Sequence, residues 1–237
     1  MSRLTLFGLP FAGGNAYSYR PLAEHMSAEI NFVPLELPGR GRRVGEPLLE
    51  DIAALADDVL AQIGPQLEAP YALYGHSMGA NLVYLLAHRI EQLDSPRPLH
   101  LFVSGCAAPS ISPKPEHQQR HRLPRGAFVH MLRQLGGCPP EILANDQLME
   151  FFEPIIRADF TANACFEPPA RPPLEIPITA LSGSADEVSL SAVEAWAEET
   201  RGPFSVHAFP GDHFFIFAHA ALISALFARE MAVHLST

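Results

Sequence analysis

Cysteine is scarce in this chain, and so is positive charge. Cys106, Cys138 and Cys165 are its three cysteines, far apart and without CxxC spacing. An odd count with no such spacing argues against a disulfide framework and against a zinc site, and leaves three reduced thiols. Lys and Arg total 16 against 26 Asp and Glu, a formal charge of −10. A negative field of that size speaks against nonspecific nucleic-acid binding. No apolar run approaches the roughly 18 residues of a membrane span. MSRLTLFGLP at the amino terminus has too short an apolar core for a signal peptide, and no clear cleavage site follows. These absences lead to the expectation of a cytoplasmic protein with neither nucleic acid nor membrane as partner. The 23 prolines mark turns, and no stretch has linker composition, so 1–237 is expected to be one domain.

What is present is alternation. Strand patterns fall at 4–9, 31–37, 71–75, 100–104, 176–181 and 204–209, most of them apolar on both faces, as strands between helix layers are. Helical spacing joins them. Leu49, Ile52, Ala56, Val59, Leu60 and Ile63 form one apolar stripe, and 78–92, a segment around Leu190–Ala197, and 214–234 carry others. This order predicts an α/β fold with a mostly parallel sheet flanked by helices. One region breaks the rhythm. Residues 107–175 exceed what a crossover needs, begin rich in Pro, His and Arg, and then carry helical patterns at about 126–135 and 146–163. An insertion at the carboxyl edge of a parallel sheet lies where ligands bind, so a helical lid is expected.

The strongest motif is Gly75-His76-Ser77-Met78-Gly79, placed after the strand YALY and before the helical run ANLVYLLAHRI. This is G-x-S-x-G in its strand–turn–helix setting, a turn that lifts a serine hydroxyl clear of the sheet at the positive end of a helix. Glycines are needed because the turn is tight. Ser77 is the candidate nucleophile, and His76 should point away from it into the scaffold.

With that nucleophile the expected order is Ser, acid, His. PGDHFF follows the last strand, so His213 is the candidate base. The lid histidines (His117, His121, His130) are expected in solvent, and His219 and His234 within the last helix. The loop after 100–104 holds no carboxylate, whereas the one after 176–181 reads SGSADEV, so Asp186 is the candidate acid and Glu187 its competitor. Asp212 sits too close to His213 along a tight turn. A tetrahedral intermediate needs backbone donors. Met78, after the nucleophile, supplies one N–H; the loop Pro10-Phe11-Ala12-Gly13-Gly14-Asn15 supplies the other, with Ala12 preferred over Phe11. Spacing alone does not separate thioesters from oxygen esters, acyl transfer to a non-water acceptor, or an idle scaffold used for binding.

Five segments in order, PFAGGNAYSY, ELPGRGRR, GHSMGA, LGGCPPEIL with PIIRADF, and PGDHFF, resemble the type II thioesterases, the stand-alone editing enzymes of nonribosomal peptide and polyketide synthases. The resemblance covers about residues 10–217. It implies the α/β-hydrolase fold and places nucleophile, acid and base on Ser77, Asp186 and His213, with oxyanion amides on Ala12 and Met78. It implies no cofactor and no metal, since the substrate rides on the phosphopantetheine arm of an acyl or peptidyl carrier protein. A monomer is expected. The family commonly has His where this chain has Phe11, so a side-chain role at that position is lost while the backbone donor survives. Arg40, Arg42 and Arg43, or Arg120, Arg122 and Arg125, are candidates to meet a carrier's phosphate or acidic helix.

Overall fold

The computed structural model describes residues 4–68, 70–93, 95–112, 115–168 and 170–233. Six strands form one parallel sheet: β1 (Leu4–Leu9), β2 (Ile30–Pro34), β3 (Tyr71–His76), β4 (Leu101–Ser104), β5 (Ile178–Gly183) and β6 (Phe204–Phe209), in the order β2-β1-β3-β4-β5-β6. The connections comprise α1 (Arg20–Glu24), α2 (Ile52–Ile63), α3 (Met78–Ile90), α4 (Pro115–Gln118), α5 (Arg125–Leu135), α6 (Pro140–Leu143), α7 (Asp146–Ala164), α8 (Leu190–Glu194), α9 (Phe215–Ala218) and α10 (Ala220–Ala232).

Strand alternation sorts the core into two layers. Phe7, Leu9, Leu73, Leu101, Val103, Ile178 and Ala180 face α2, α3 and Trp196; Leu4, Leu6, Ala72, Tyr74, Phe102 and Leu181 face α1 and α10. Both faces are covered, which is why these strands are apolar almost throughout. The strand order reverses at β1, whose neighbours are β2 on one side and β3 on the other. The chain therefore leaves β1 and β3 in opposite directions, opening a crevice at their carboxyl ends.

Some boundaries differ from the sequence pattern. β2 stops at Pro34, not 37: the Leu35 N–H still bonds the Gly8 carbonyl of β1 at 2.8 Å, and beyond it the chain leaves the sheet and turns at Gly39 (φ 78°). β5 begins at Ile178, after Pro177, and extends to Gly183. The final helix is not continuous over 214–234. His219 leaves helical geometry (φ −112°, ψ 22°) and its Nε2 bonds the Pro210 carbonyl at 2.7 Å, so it sits at the α9–α10 junction; His234 lies outside the described residues.

Between β4 and β5 the two anticipated helices appear as α5 and α7, joined by the short α4 and α6, which lack the length to show a period. They carry a small core of their own, Phe128, Leu132, Leu143, Met149 and Ile156. The Asn145 side chain caps α7 by accepting from the Gln147 and Leu148 N–H groups.

Candidate active site

The turn after β3 holds its serine in a strained conformation. Ser77 (φ 55°, ψ −121°) is the sole non-glycine with positive φ among the described residues. Strain of this kind costs about 1–3 kcal/mol and persists only where neighbours enforce it. Here a Cβ on Gly75 would overlap the Gly79 carbonyl, and one on Gly79 would overlap the Leu9 carbonyl, so the turn is packed hard against α3 and β1. The Ser77 N–H is tied to the Ser104 carbonyl of β4 at 2.8 Å.

The loops after β5 and β6 are bonded to each other. Ser184 N–H donates to the Phe209 carbonyl and Ala185 N–H to Gly211, both at 2.8 Å. Gly183 permits this approach, since a side chain there would strike the Asp212 carbonyl. The result sets the buried Asp186 carboxylate against the His213 ring: Nδ1–H donates to Oδ2 at 3.0 Å, with Oδ1 at 3.1 Å. Asp186 Oδ1 also accepts the Val188 N–H at 3.2 Å. Glu187 does not compete. It pairs with the Arg120 guanidinium at 2.7 and 2.6 Å, and His117 lies 3.6 Å from it. Burial acts to raise the Glu187 pKa, but the hydrogen bonds and charge of Arg120, with His117 and His213 adding, bring it below the ordinary value. The Asp212 carboxylate caps the turn instead, accepting the Phe214 N–H at 2.9 Å.

Ser77, Met78, Ala12 and His213 line one cavity of about 590 Å³ at the switch crevice. Its walls are largely apolar and come from the 107–175 segment (Leu132, Ile142, Phe152, Ile156, Phe160) as well as from Phe11 and Phe214. In the loop after β1 most amides are spoken for. Gly13 N–H donates to Asp159, Gly14 to the Phe11 carbonyl, Asn15 to Ser18 Oγ and Ala16 to Glu36. The Ala12 and Met78 N–H groups have no protein acceptor among the described residues. Two donors without partners, on residues that line the same cavity as a strained serine, are suited to an oxyanion.

Residues 4–229 match the Thioesterase domain family. The chain belongs to that family. The gramicidin S biosynthesis protein GrsT of Aneurinibacillus migulanus is 38% identical over 91% of this chain and 84% of its own. RedJ, a thioesterase of the prodiginine pathway in Streptomyces coelicolor, superposes with a TM-score of 0.89 at 35% identity, over 96% of this chain and 90% of RedJ. YbtT, a type II thioesterase of the yersiniabactin NRPS/PKS pathway, gives 0.87 at 30% identity over 97% and 93%. The protein is thus a type II thioesterase with the α/β-hydrolase fold, a hydrolase acting on thioesters.

The thioesterase places other expected residues differently. His76 does turn into the scaffold, with Nδ1 on Ser104 Oγ at 2.9 Å and its ring centroid 5.0 Å from that of His213. Burial, with the neighbouring His213 second, holds its pKa well below the ordinary imidazole value. Of the three lid histidines only His130 is exposed. His117 lines the cavity beside Glu187, and His121 accepts from Arg122 Nε at 3.1 Å. The arginines are mostly committed. Arg40 is 2% exposed and forks onto Asp159; Arg43 holds Asp58 and Glu46, each at 2.6 Å; Arg120 holds Glu187; Arg125 reaches Asp146 at 3.2 Å. Arg40 therefore cannot greet a docking partner, and of the six candidate docking arginines Arg42 and Arg122 lack a carboxylate among the described residues. The Asp159–Arg40 pair was not foreseen, because both residues look like ordinary surface charges until the chain folds.

Among the described residues no group of three or more His, Cys, Asp or Glu is placed to hold a metal ion, and no helix is long and apolar enough to cross a membrane.

Proposed function

We propose that Ser77, His213 and Asp186 form the catalytic triad of this thioesterase, and that it clears acyl or aminoacyl groups from the phosphopantetheine arms of carrier proteins in nonribosomal peptide or polyketide biosynthesis. The observation that carries the reading is the convergence of a strained serine, two unpartnered amides and a carboxylate-bound histidine on one apolar-walled cavity.

The Ser77 hydroxyl attacks the thioester carbonyl while His213 Nε2 takes its proton. The imidazolium so formed is stabilised through Nδ1–H by Asp186. Negative charge on the former carbonyl oxygen is met by the Ala12 and Met78 N–H groups. The C–S bond then breaks and the leaving sulfur takes the proton from His213 Nε2, so the thiol departs and the imidazole is neutral again. A thiol has a pKa of about 8.5, so the leaving sulfur asks little of His213 as acid. Water, deprotonated by His213, attacks the acyl-serine, the C–O bond to Ser77 breaks, and the free acid departs as the proton returns to Ser77 Oγ. No cofactor enters. The apolar walls suit the acyl group, and the helical segment 107–175 serves as a lid within a single-domain, cytoplasmic monomer.

The test incubates the enzyme with carrier proteins bearing different acyl groups and reads release by mass spectrometry. Release that vanishes in Ser77→Ala is expected. A matched pair of acyl thioester and oxygen ester decides chemistry: a higher kcat/KM on the oxygen ester would remove the thioesterase assignment of the site.

A further inference from the structure

Asp159 lies on α7, in the segment between β4 and β5, yet it is 0% exposed. Its Oδ2 accepts the Gly13 N–H at 2.7 Å. The same oxygen meets Arg40 Nη1, and Oδ1 accepts from Arg40 Nη2 at 2.7 Å. Arg40 in turn reaches the Gly14 and Pro38 carbonyls at 3.4 Å. Packing closes the same joint, because Gly13 (φ 77°) lies so near α7 that a Cβ there would stand 2.8 Å from Ile156 Cγ1. One carboxylate thus gathers three segments distant in sequence: the loop after β1, the loop after β2, and α7.

We propose that Asp159 is a positioning residue for the oxyanion loop: by holding the Gly13 N–H it sets the peptide that aims the neighbouring Ala12 N–H at the substrate carbonyl. The inference rests on the reading of Ala12 as an oxyanion donor. Its physical logic is preorganisation. A donor contributes to catalysis when it is fixed before charge develops; the Gly14 N–H closes the turn locally on the Phe11 carbonyl at 2.8 Å, and Asp159 fixes that turn against α7. A buried carboxylate with a forked guanidinium is a rigid anchor, because both partners' lone pairs and protons are satisfied in one geometry.

Removing one partner strands a buried charge, so the pair is changed together. Arg40→Met with Asp159→Leu leaves Gly13 N–H without an acceptor; Arg40→Met with Asp159→Asn leaves it one. Loss of an oxyanion donor outright costs about 10²–10³ in kcat, and a misaimed donor is expected to cost about 10–100-fold in the Leu variant, with KM moved less than about threefold. Inhibition by an acyl trifluoromethyl ketone, which forms a tetrahedral adduct on serine, should weaken by a similar factor. The Asn variant should recover at least tenfold of the kcat loss. Equal kcat in the two folded double variants, or unchanged ketone inhibition in the Leu variant, overturns the proposal. A measurement on the unmodified enzyme stands beside these. The Gly13 amide proton should exchange slowly with or without the ketone, while those of Ala12 and Met78 become protected only when it binds. A Gly13 amide that exchanges as fast as Ala12's in the free enzyme overturns it as well. Ser77→Ala separates the two levels. Turnover surviving that change sinks the triad reading and this inference with it; turnover lost there but untouched in the Leu variant sinks this inference alone.

Discussion

Replacing Asp186 by Asn tests the acid with almost no change of shape. Asp186 Oδ1 is bound by the Val188 N–H at 3.2 Å, and that donor requires an oxygen. The Asn carbonyl will therefore take the Oδ1 position and its amide NH₂ the Oδ2 position, 3.0 Å from His213 Nδ1. An N–H donor there opposes the Nδ1–H and favours Nδ1 as an acceptor over its bond to the carbonyl at the Oδ1 position, 3.1 Å away. The ring proton moves to Nε2, the atom that must receive the proton from Ser77. The wrong tautomer costs about 10⁴ in kcat in a serine triad, or about 5.4 kcal/mol at 1.36 kcal/mol per factor of ten. The assay is thiol release from an acyl-pantetheine thioester at neutral pH, with the urea midpoint measured in parallel to show an intact fold. Asp186→Ala, which imposes no tautomer, should be no worse than Asn. A folded Asp186→Asn enzyme within about tenfold of the parent would refute the reasoning, because that is less than the wrong tautomer costs.

Glu187→Gln should leave kcat within about threefold and cost under about 1 kcal/mol of stability, since its side chain serves a partly exposed ion pair and not His213; a loss as large as that of Asp186→Asn would reverse the assignment of the acid. His76 gives a pH signature. Its native pKa is held below the ordinary value by burial and by His213, so above the unfolded value of about 6.5 both states are neutral and the contribution to stability is full. As pH falls below that value the unfolded chain binds a proton the native state refuses, and stability declines by at most about 1.4 kcal/mol per pH unit for this group until the native pKa is reached. His88 and His207, also lowered chiefly by burial, act in the same sense. Urea midpoints at pH 7 and pH 5 should therefore differ less in His76→Leu than in the parent, and an unchanged difference would count against a neutral His76. Burial, with the charge of Asp186 second, pushes the Cys106 thiol up to about 12, whereas Cys165 is exposed. Iodoacetamide at pH 8 should then label Cys165 first, as peptide mapping would show, and prior labelling of Cys106 would contradict its raised thiol pKa.

The fold class was legible because its determinants are local and periodic. Strands apolar on both faces, such as 71–75 and 100–104, announce a sheet between helix layers, and the Gly-x-Ser-x-Gly turn needs only five adjacent residues to be recognised. Failures came where a turn or a partner, not a pattern, decides. β2 ends early where the chain turns off the sheet toward Gly39, α4 and α6 are shorter than a detectable period, and the last helix breaks at His219 because its ring finds the Pro210 carbonyl nine residues back.

Side-chain pairing was the least legible. Asp186 and Glu187 are neighbours with the same chemistry; the chain order narrows the acid to that loop, but only the bonded loops after β5 and β6 put one carboxylate on His213 while Arg120, 67 residues away, claims the other. The arginines show the same divide. Sequence shows three of them near residue 40 and cannot tell a docking surface from an anchor, because an ion pair between Arg40 and Asp159 spans 119 residues and exists only once α7 lies against the loop after β1. What the amino-acid sequence determined alone was therefore the layering of the sheet and the identity of the turn that exposes Ser77, both set by short-range sterics and hydrophobic period. What tertiary structure decided was which charged groups are buried against which, since the burial that makes such a pairing matter is a property of the packed chain and of no segment by itself.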